Sequence, residues 1–322
     1  MNSDSGVRNV LDRCLAITSG ESVVLLVDDA TDRRVVGALT AQIAERGGIP
    51  VVVEMPRMLV PGSEVPSTVA AAMLACDAVI ELTSIFIGSN QARRDANKVG
   101  VRYLAMPGVR VETFRPDGPL SVDFDELRAS AEQIGELWTA ASEFVLTTPA
   151  GTSLRGTVES RPGRVLHGIC RTSGSYMAPP DIEAGTAPIE GTVHGVAVID
   201  ADLLFMGTGP LPEPVVLTFD EGRLVDVAGP ERHRLLSMLE RCGDERMVNF
   251  AEISLGLNPA GRVCDVAMET ESALGTAHIA LGNSIAYGGT VNAVAHLDCV
   301  MRDATLTLDG AAVDARAIMA GN

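Results

Sequence analysis

Two of the five histidines in this 322-residue chain fall in one apolar, glycine-rich segment, "AHIALGNSIAYGGTVNAVAHLDCVM" at 277–301, and the second is followed at one remove by Asp298. An HxD pair on a β-strand puts both side chains on one face, because side chains alternate with a period of two. His296 and Asp298 therefore make half of a metal site, and His278 offers a second nitrogen. Glu183, Glu252 and Glu271 lie upstream in equally apolar or glycine-rich surroundings. Burying a carboxylate is costly unless it is paired or ligates a cation. Two histidines with carboxylates and no thiolate suit Zn²⁺, Mn²⁺, Co²⁺ or Fe²⁺ and point away from a structural zinc site. The bland alternative for each residue is a hydrogen-bonded place in the core, and spacing alone leaves both readings open.

Elements able to position these residues are visible in the hydrophobic pattern. In the first part of the chain, "SVVLLVD" (22–28), "IPVVVEM" (49–55), "DAVIELT" (77–83) and "VRYLAMP" (101–107) are short β-branched runs that suit strands buried on both faces. Helical patterns at 33–46, 66–75 and 90–99 separate them. Strand, helix, strand at this spacing predicts an open, mostly parallel α/β sheet. The amphipathic stretch at 124–143 is a natural end to that domain, so the expected division is 1–144 and 145–322. No GxGxxG follows the first strand, which runs into "DDATDRR", so no dinucleotide site is expected. Beyond 145, strands with tight turns at Asp220-Glu221-Gly222 and Asp309-Gly310, and a helix at 230–242, predict an α+β domain on antiparallel sheet that carries the metal.

Composition narrows the partners. The formal net charge is −17, which disfavours nucleic acid and anionic membrane surfaces. No segment reads as a signal peptide or a membrane span. The six scattered cysteines lack CxxC spacing, so a reducing, cytoplasmic setting with free thiols is expected. Ser-His-Asp hydrolysis has no GxSxG elbow here, and "PAGTSLRGTVESRPGR" (149–164) lacks the ending of a phosphate-binding loop. Arg155, Arg161 and Arg164 in that stretch are partly solvated or available to a substrate carboxylate. Cys299, facing away from the HxD pair, reads as a small core hydrophobe.

Four short motifs in order carry a family resemblance: "ExxTAPxEGTVxG" (183–195), "AExxLGLNP" (251–259), "GTAHIALGN" (275–283) and "GG", six residues, "HLD" (288–298). They resemble the thermophilic metallopeptidases called aminopeptidase T and S, over about 180 residues of the C-terminal half. The resemblance implies a divalent-metal site, commonly with two metals, and a homodimer. It places the metal ligands on Glu183, Glu252, His278, His296 and Asp298. Ile285 stands where those peptidases carry a tyrosine, and the nearby phenol is Tyr287. A second branch, the 2,5-dihydroxypyridine 5,6-dioxygenases, is also similar and implies one Fe²⁺ in a two-His-one-Asp site. That branch is expected to carry a histidine at the position of Glu252 and another near 84–90, and neither is present.

The expectation is thus a metal-dependent hydrolase of a small amide, amine or peptide-like substrate, using Zn, Mn or Co. Glu252 and Tyr287 are its catalytic groups, and Asn283 and Arg164 contact its substrate. The alternative is a mononuclear Fe(II) ring-cleaving dioxygenase on the same scaffold.

Overall fold

The computed structural model describes residues 4–207 and 209–321, and the chain divides into two compact units. The first comprises Met1–Leu127 and His167–Asp181, the second Arg128–Leu166 and Ile182–Asn322. The expected boundary at 144/145 is corrected in two ways. Residues 128–144 belong with the second unit, where Trp138 donates its indole N–H to the Ala184 carbonyl at 3.1 Å. Residues 167–181 belong with the first, because a strand within them pairs with its sheet.

The first unit opens with helix α1 (Asp4–Arg8) and then alternates strand and helix: β1 (Ser22–Val27), α2 (Arg33–Glu45), β2 (Ile49–Glu54), α3 (Ser67–Leu74), β3 (Ala78–Glu81), α4 (Gln91–Lys98) and β4 (Arg102–Ala105). Helix α5 (Phe124–Ala140) and strands β5 (Glu143–Thr147), β6 (Ser153–Thr157) and β7 (Arg164–Leu166) follow, and β8 (Tyr176–Met177) returns to the first sheet. Its order is β2-β1-β3-β4-β8, parallel throughout. Three of its four expected runs are buried strands. The fourth, β2, is the sheet edge, and Ile49 and Val52 are 55% and 45% exposed rather than buried. Ile49 and Met55 turn their N–H groups toward β1, so Pro50 faces the open edge, where its missing donor costs nothing. At the carboxyl end of β1, Asp28 accepts from the Ser84 backbone N–H (2.8 Å) and hydroxyl (2.7 Å). A carboxylate closes the turn where a dinucleotide site would need glycines.

The second unit continues with β9 (Glu183–Thr186), β10 (His194–Ile199), β11 (Asp202–Leu203), β12 (Val215–Asp220), β13 (Arg223–Ala228), α6 (Arg232–Cys242), β14 (Phe250–Gly256), α7 (Ala267–Ser272), β15 (Ala277–Gly282), β16 (His296–Met301), β17 (Thr305–Leu308), β18 (Ala311–Ala312) and α8 (Ala315–Met319). They form two antiparallel sheets, ordered β13-β12-β10-β6-β5-β17-β18 and β11-β16-β15-β14-β9-β7. Among the described residues, no helix is long and apolar enough to cross a membrane. In the six-stranded sheet β9, β14 and β15 are buried along their whole length, so polar side chains there must find partners within the protein.

The approach of β9 to β14 depends on Gly185. A Cβ there would fall 1.7 Å from Ser254 Oγ and 2.3 Å from the Ile253 carbonyl oxygen. Gly185→Ala is therefore expected to force the strands apart, at a cost of about 3 kcal/mol. Urea unfolding checks this; an unchanged midpoint would mean that the two strands tolerate a side chain between them.

Candidate metal centre

Strands β9, β14, β15 and β16 place all five expected ligands on one face of the sheet. In register, Gly185 opposes Ser254 and Ser254 opposes His278, while Glu252 opposes Ala280, Ala280 opposes Asp298 and Gly282 opposes His296. Directly opposed residues share a face, and so do residues two apart on one strand, which adds Glu183. The positions between them are Gly185, Ser254, Ala280 and Gly282, whose small side chains leave room for the longer ones to meet.

The donor atoms form two overlapping groups, Glu183–Glu252–His278 and Glu252–His296–Asp298, each within 4.8 Å. His278 Nε2 lies 3.1 Å from both Glu183 Oε2 and Glu252 Oε1. His296 Nε2 lies 2.8 Å from Glu252 Oε2 and 3.1 Å from Asp298 Oδ1. Glu183, Glu252 and His278 are at most 2% exposed, whereas the side chains of His296 and Asp298 each keep 15%, so the centre opens on their side. No cysteine belongs to either group, and Cys299 is buried, with its thiol pushed up by that burial.

Hydrogen bonds around the cluster fix its orientation. His296 donates Nδ1–H to the Asn283 carbonyl at 2.6 Å, which leaves the Nε2 lone pair turned toward the carboxylates. Ser254 donates its hydroxyl to Glu252 Oε1, and Tyr287 donates its phenol to Glu183 Oε1 at 2.5 Å. The Tyr287 ring also stacks on His296, with centroids 5.6 Å apart and planes 10° from parallel.

Electrostatics decide what the arrangement can hold. Burial alone would raise the Glu252 carboxyl, but the His278 and His296 imidazoles beside it bring it down to about 2. Burial would likewise lower both histidines; Glu183 and Glu252 around His278, and Asp298 and Glu252 around His296, raise them well above their usual range instead. Glu271 is pushed far up by burial and next by the negative charge of Asp298. Without a cation, the cluster thus draws protons onto its imidazoles. A divalent cation carries the same charge as two such protons. One further feature fits one: Glu252 Oε2, though 2.8 Å from His296 Nε2, lacks a hydrogen-bond partner. A buried acceptor left in this way is costly unless a cation shares it.

The remaining expectations fare differently. Tyr287 meets the cluster through Glu183 and His296. Asn283 does not offer its side chain: its amide donates to Asn292 Oδ1 (3.0 Å) and the Ala293 carbonyl (2.8 Å), and its Oδ1 accepts from Ile285 N. That amide is engaged in shaping the loop, and its backbone carbonyl is the part that touches His296. Arg164 is exposed on the edge strand β7, opposite Gly185, and the structure gives it no contact with the donor atoms. Ser254 carries no assignment from the sequence, although it follows Glu252 by the same two-residue step that pairs His296 with Asp298. The Asn283 carbonyl carries no side-chain signal at all.

The structure of 2,5-dihydroxypyridine dioxygenase from Pseudomonas putida KT2440 superposes with a TM-score of 0.79 at 18% identity, covering 97% of this chain and 94% of that one. Wild-type AmpT from Thermus thermophilus superposes with a TM-score of 0.65 at 16% identity, covering 95% of each. At these identities the likeness establishes a common fold. No curated protein matches the sequence. Residues 5–319 match the family model described as NicX, 2,5-dihydroxypyridine 5,6-dioxygenase, and the chain therefore belongs to that family.

Proposed function

We propose that this protein is a mononuclear non-haem iron(II) oxygenase that opens a small hydroxylated aromatic ring. The match to the dioxygenase family over residues 5–319 carries this reading, and it favours the ring-cleaving alternative over the hydrolase expected from the motifs. His278, His296 and Asp298 would hold the metal, a two-histidine-one-carboxylate set suited to iron(II) with open positions. Bound there, iron would bring O₂ and the ring substrate together and activate both for oxygen insertion.

The protein's own groups prepare that reaction. The Asn283 carbonyl sets the His296 tautomer, and Asp298 lies 3.1 Å from its Nε2. Glu252, completely buried and anchored by the Ser254 hydroxyl, would hold His278 and His296 in place from outside the ligand set.

A second reading, hydrolysis by two divalent cations, rests on one observation. Glu252 belongs to both donor groups, and a shared carboxylate would suit a pair of metals. Metal analysis and oxygen uptake separate the readings. Protein purified without added metal is expected to contain one iron per chain and to consume O₂ with 2,5-dihydroxypyridine. Two zinc, manganese or cobalt ions per chain, with amide hydrolysis and no O₂ uptake, would replace the oxygenase by the hydrolase.

Glu252→Gln gives a quantitative discrimination. With iron on His278, His296 and Asp298, Glu252 supports the centre from outside the ligand set, and its loss should cost about 10–100-fold in turnover. Loss of the proton-transfer carboxylate of a hydrolase should cost about 10²–10⁴-fold. Steady-state rates of the variant, with metal content measured in parallel, distinguish the two ranges.

Metal binding should also depend on pH in a fixed direction. The imidazoles hold protons tightly in this carboxylate cluster and must release them to bind a metal. Apparent affinity should therefore fall as pH drops, with up to about two protons released per cation. Titration calorimetry in buffers of different ionisation enthalpy measures that number; no release would remove both histidines from the ligand set.

A further inference from the structure

We propose that Arg161 and Glu190 are positioning residues: a clamp that holds the Tyr287 loop so that its phenol fixes Glu183 at the metal centre. The inference rests on the cation site proposed above and extends it to residues with no contact to the donor atoms.

Tyr287 sits in a short helical turn, Ile285–Tyr287, on an otherwise irregular loop between β15 and β16. Inside the loop, the Ser284 backbone N–H donates to the Val291 carbonyl at 2.9 Å, and the Tyr287 N–H donates to the Ser284 carbonyl at 3.1 Å. These bonds close the loop on itself but do not fix where it lies over the sheet. Contacts with residues outside it do, among them the Val294 N–H to Asp244 Oδ2 at 3.0 Å near its far end. Ala187, just beyond β9, donates its N–H to the Tyr287 carbonyl at 3.1 Å. On the other side, Arg161 donates one guanidinium nitrogen to the Gly288 carbonyl and another to Glu190 Oε2. Glu190 Oε1 in turn accepts from the Thr290 backbone N–H at 2.7 Å and its hydroxyl at 3.0 Å.

The clamp thus grips the residues one and three places after Tyr287. Arg161 keeps only 10% of its side chain exposed and Glu190 29%, so each depends on the other for its charge. Removing one partner from such a pair leaves the other buried and uncompensated. Space is equally restricted: Gly288 has φ +90°, and a Cβ there would lie 2.7 Å from the Pro162 ring, next to Arg161. The loop therefore has one seat. From it, the Tyr287 phenol binds Glu183 Oε1 and leaves Oε2 for His278, while the ring covers His296.

A double-mutant cycle on Glu190 and Tyr287 tests this, read by the visible spectrum of added Co²⁺ and by deuterium uptake of residues 284–291 in metal-free protein. Glu190→Ala is expected to speed exchange in that segment and to weaken Co²⁺ binding about tenfold, the usual scale for a partner outside the ligand set. In a Tyr287→Phe background the same change should alter Co²⁺ affinity by less than about twofold, because its effect is already lost. Glu190→Gln, which keeps an acceptor for Thr290, should fall between Glu190→Ala and the parent protein. Thr290→Val, which removes one donor and preserves shape, should move both readouts in the same direction if Glu190→Ala unfolds the protein. Equal losses in the two backgrounds, or unchanged exchange in 284–291, would overturn the clamp. Faster exchange in a protein that takes up no Co²⁺ in any form would support the clamp's hold on the loop and overturn the metal centre instead.

Discussion

Four carboxylates, Glu183, Glu252, Glu271 and Asp298, act on one another around two imidazoles in the six-stranded sheet, and three of the four are buried. Negative charges brought together out of water repel one another and lose their hydration, so positive charge must be supplied in the same small volume. The carboxylates around His278 and His296 strengthen the hold of both imidazoles on protons, and a divalent cation would supply positive charge in the same place. Most local features of the second unit serve this requirement. The sheet face carries small residues between the charged ones, Ser254 turns its hydroxyl onto Glu252, and the Asn283 carbonyl holds His296 in one tautomer.

The loop over the centre is subject to a related constraint. Its aromatic residue must lie flat against His296 and still reach Glu183, so the backbone needs anchors on both sides of Tyr287. A loop held only by its own hydrogen bonds would sample several positions, and Glu183 would then present its oxygens to His278 in more than one way. Pre-organisation of ligands by an outer layer of hydrogen bonds is common in metal sites. Here the outer layer reaches as far as an ion pair on the irregular segments that flank β7 and β9.

Family and donor set bear on chemistry in different ways. The chain belongs to the 2,5-dihydroxypyridine 5,6-dioxygenase family, yet it retains three carboxylates and two histidines within reach of one another. A single fold supports unrelated reactions when the groups on it change. On the proposed reading, the number and identity of the cations bound at this cluster would decide between oxygen chemistry and hydrolysis.

The sequence by itself determined more of the site than of the fold's organisation. The two-residue step in "HLD" is enough to place His296 and Asp298 on one face, and β-branched runs separated by helical periods specify the parallel sheet of the first unit. Both signals are local: side-chain alternation and helical period are written in neighbouring residues. The division of the chain was not legible in this way, because β8 joins its sheet through pairing with a strand some seventy residues earlier, and the short run Tyr176–Met177 carries no pattern of its own. Nor was the exposure of β2, since Val and Ile read alike at the edge and the centre of a sheet. The roles of Asn283, Arg161 and Glu190 were decided only by tertiary structure. A backbone carbonyl has no residue type to announce it, and an ion pair between residues 29 positions apart exists only once the strands between them have set the distance.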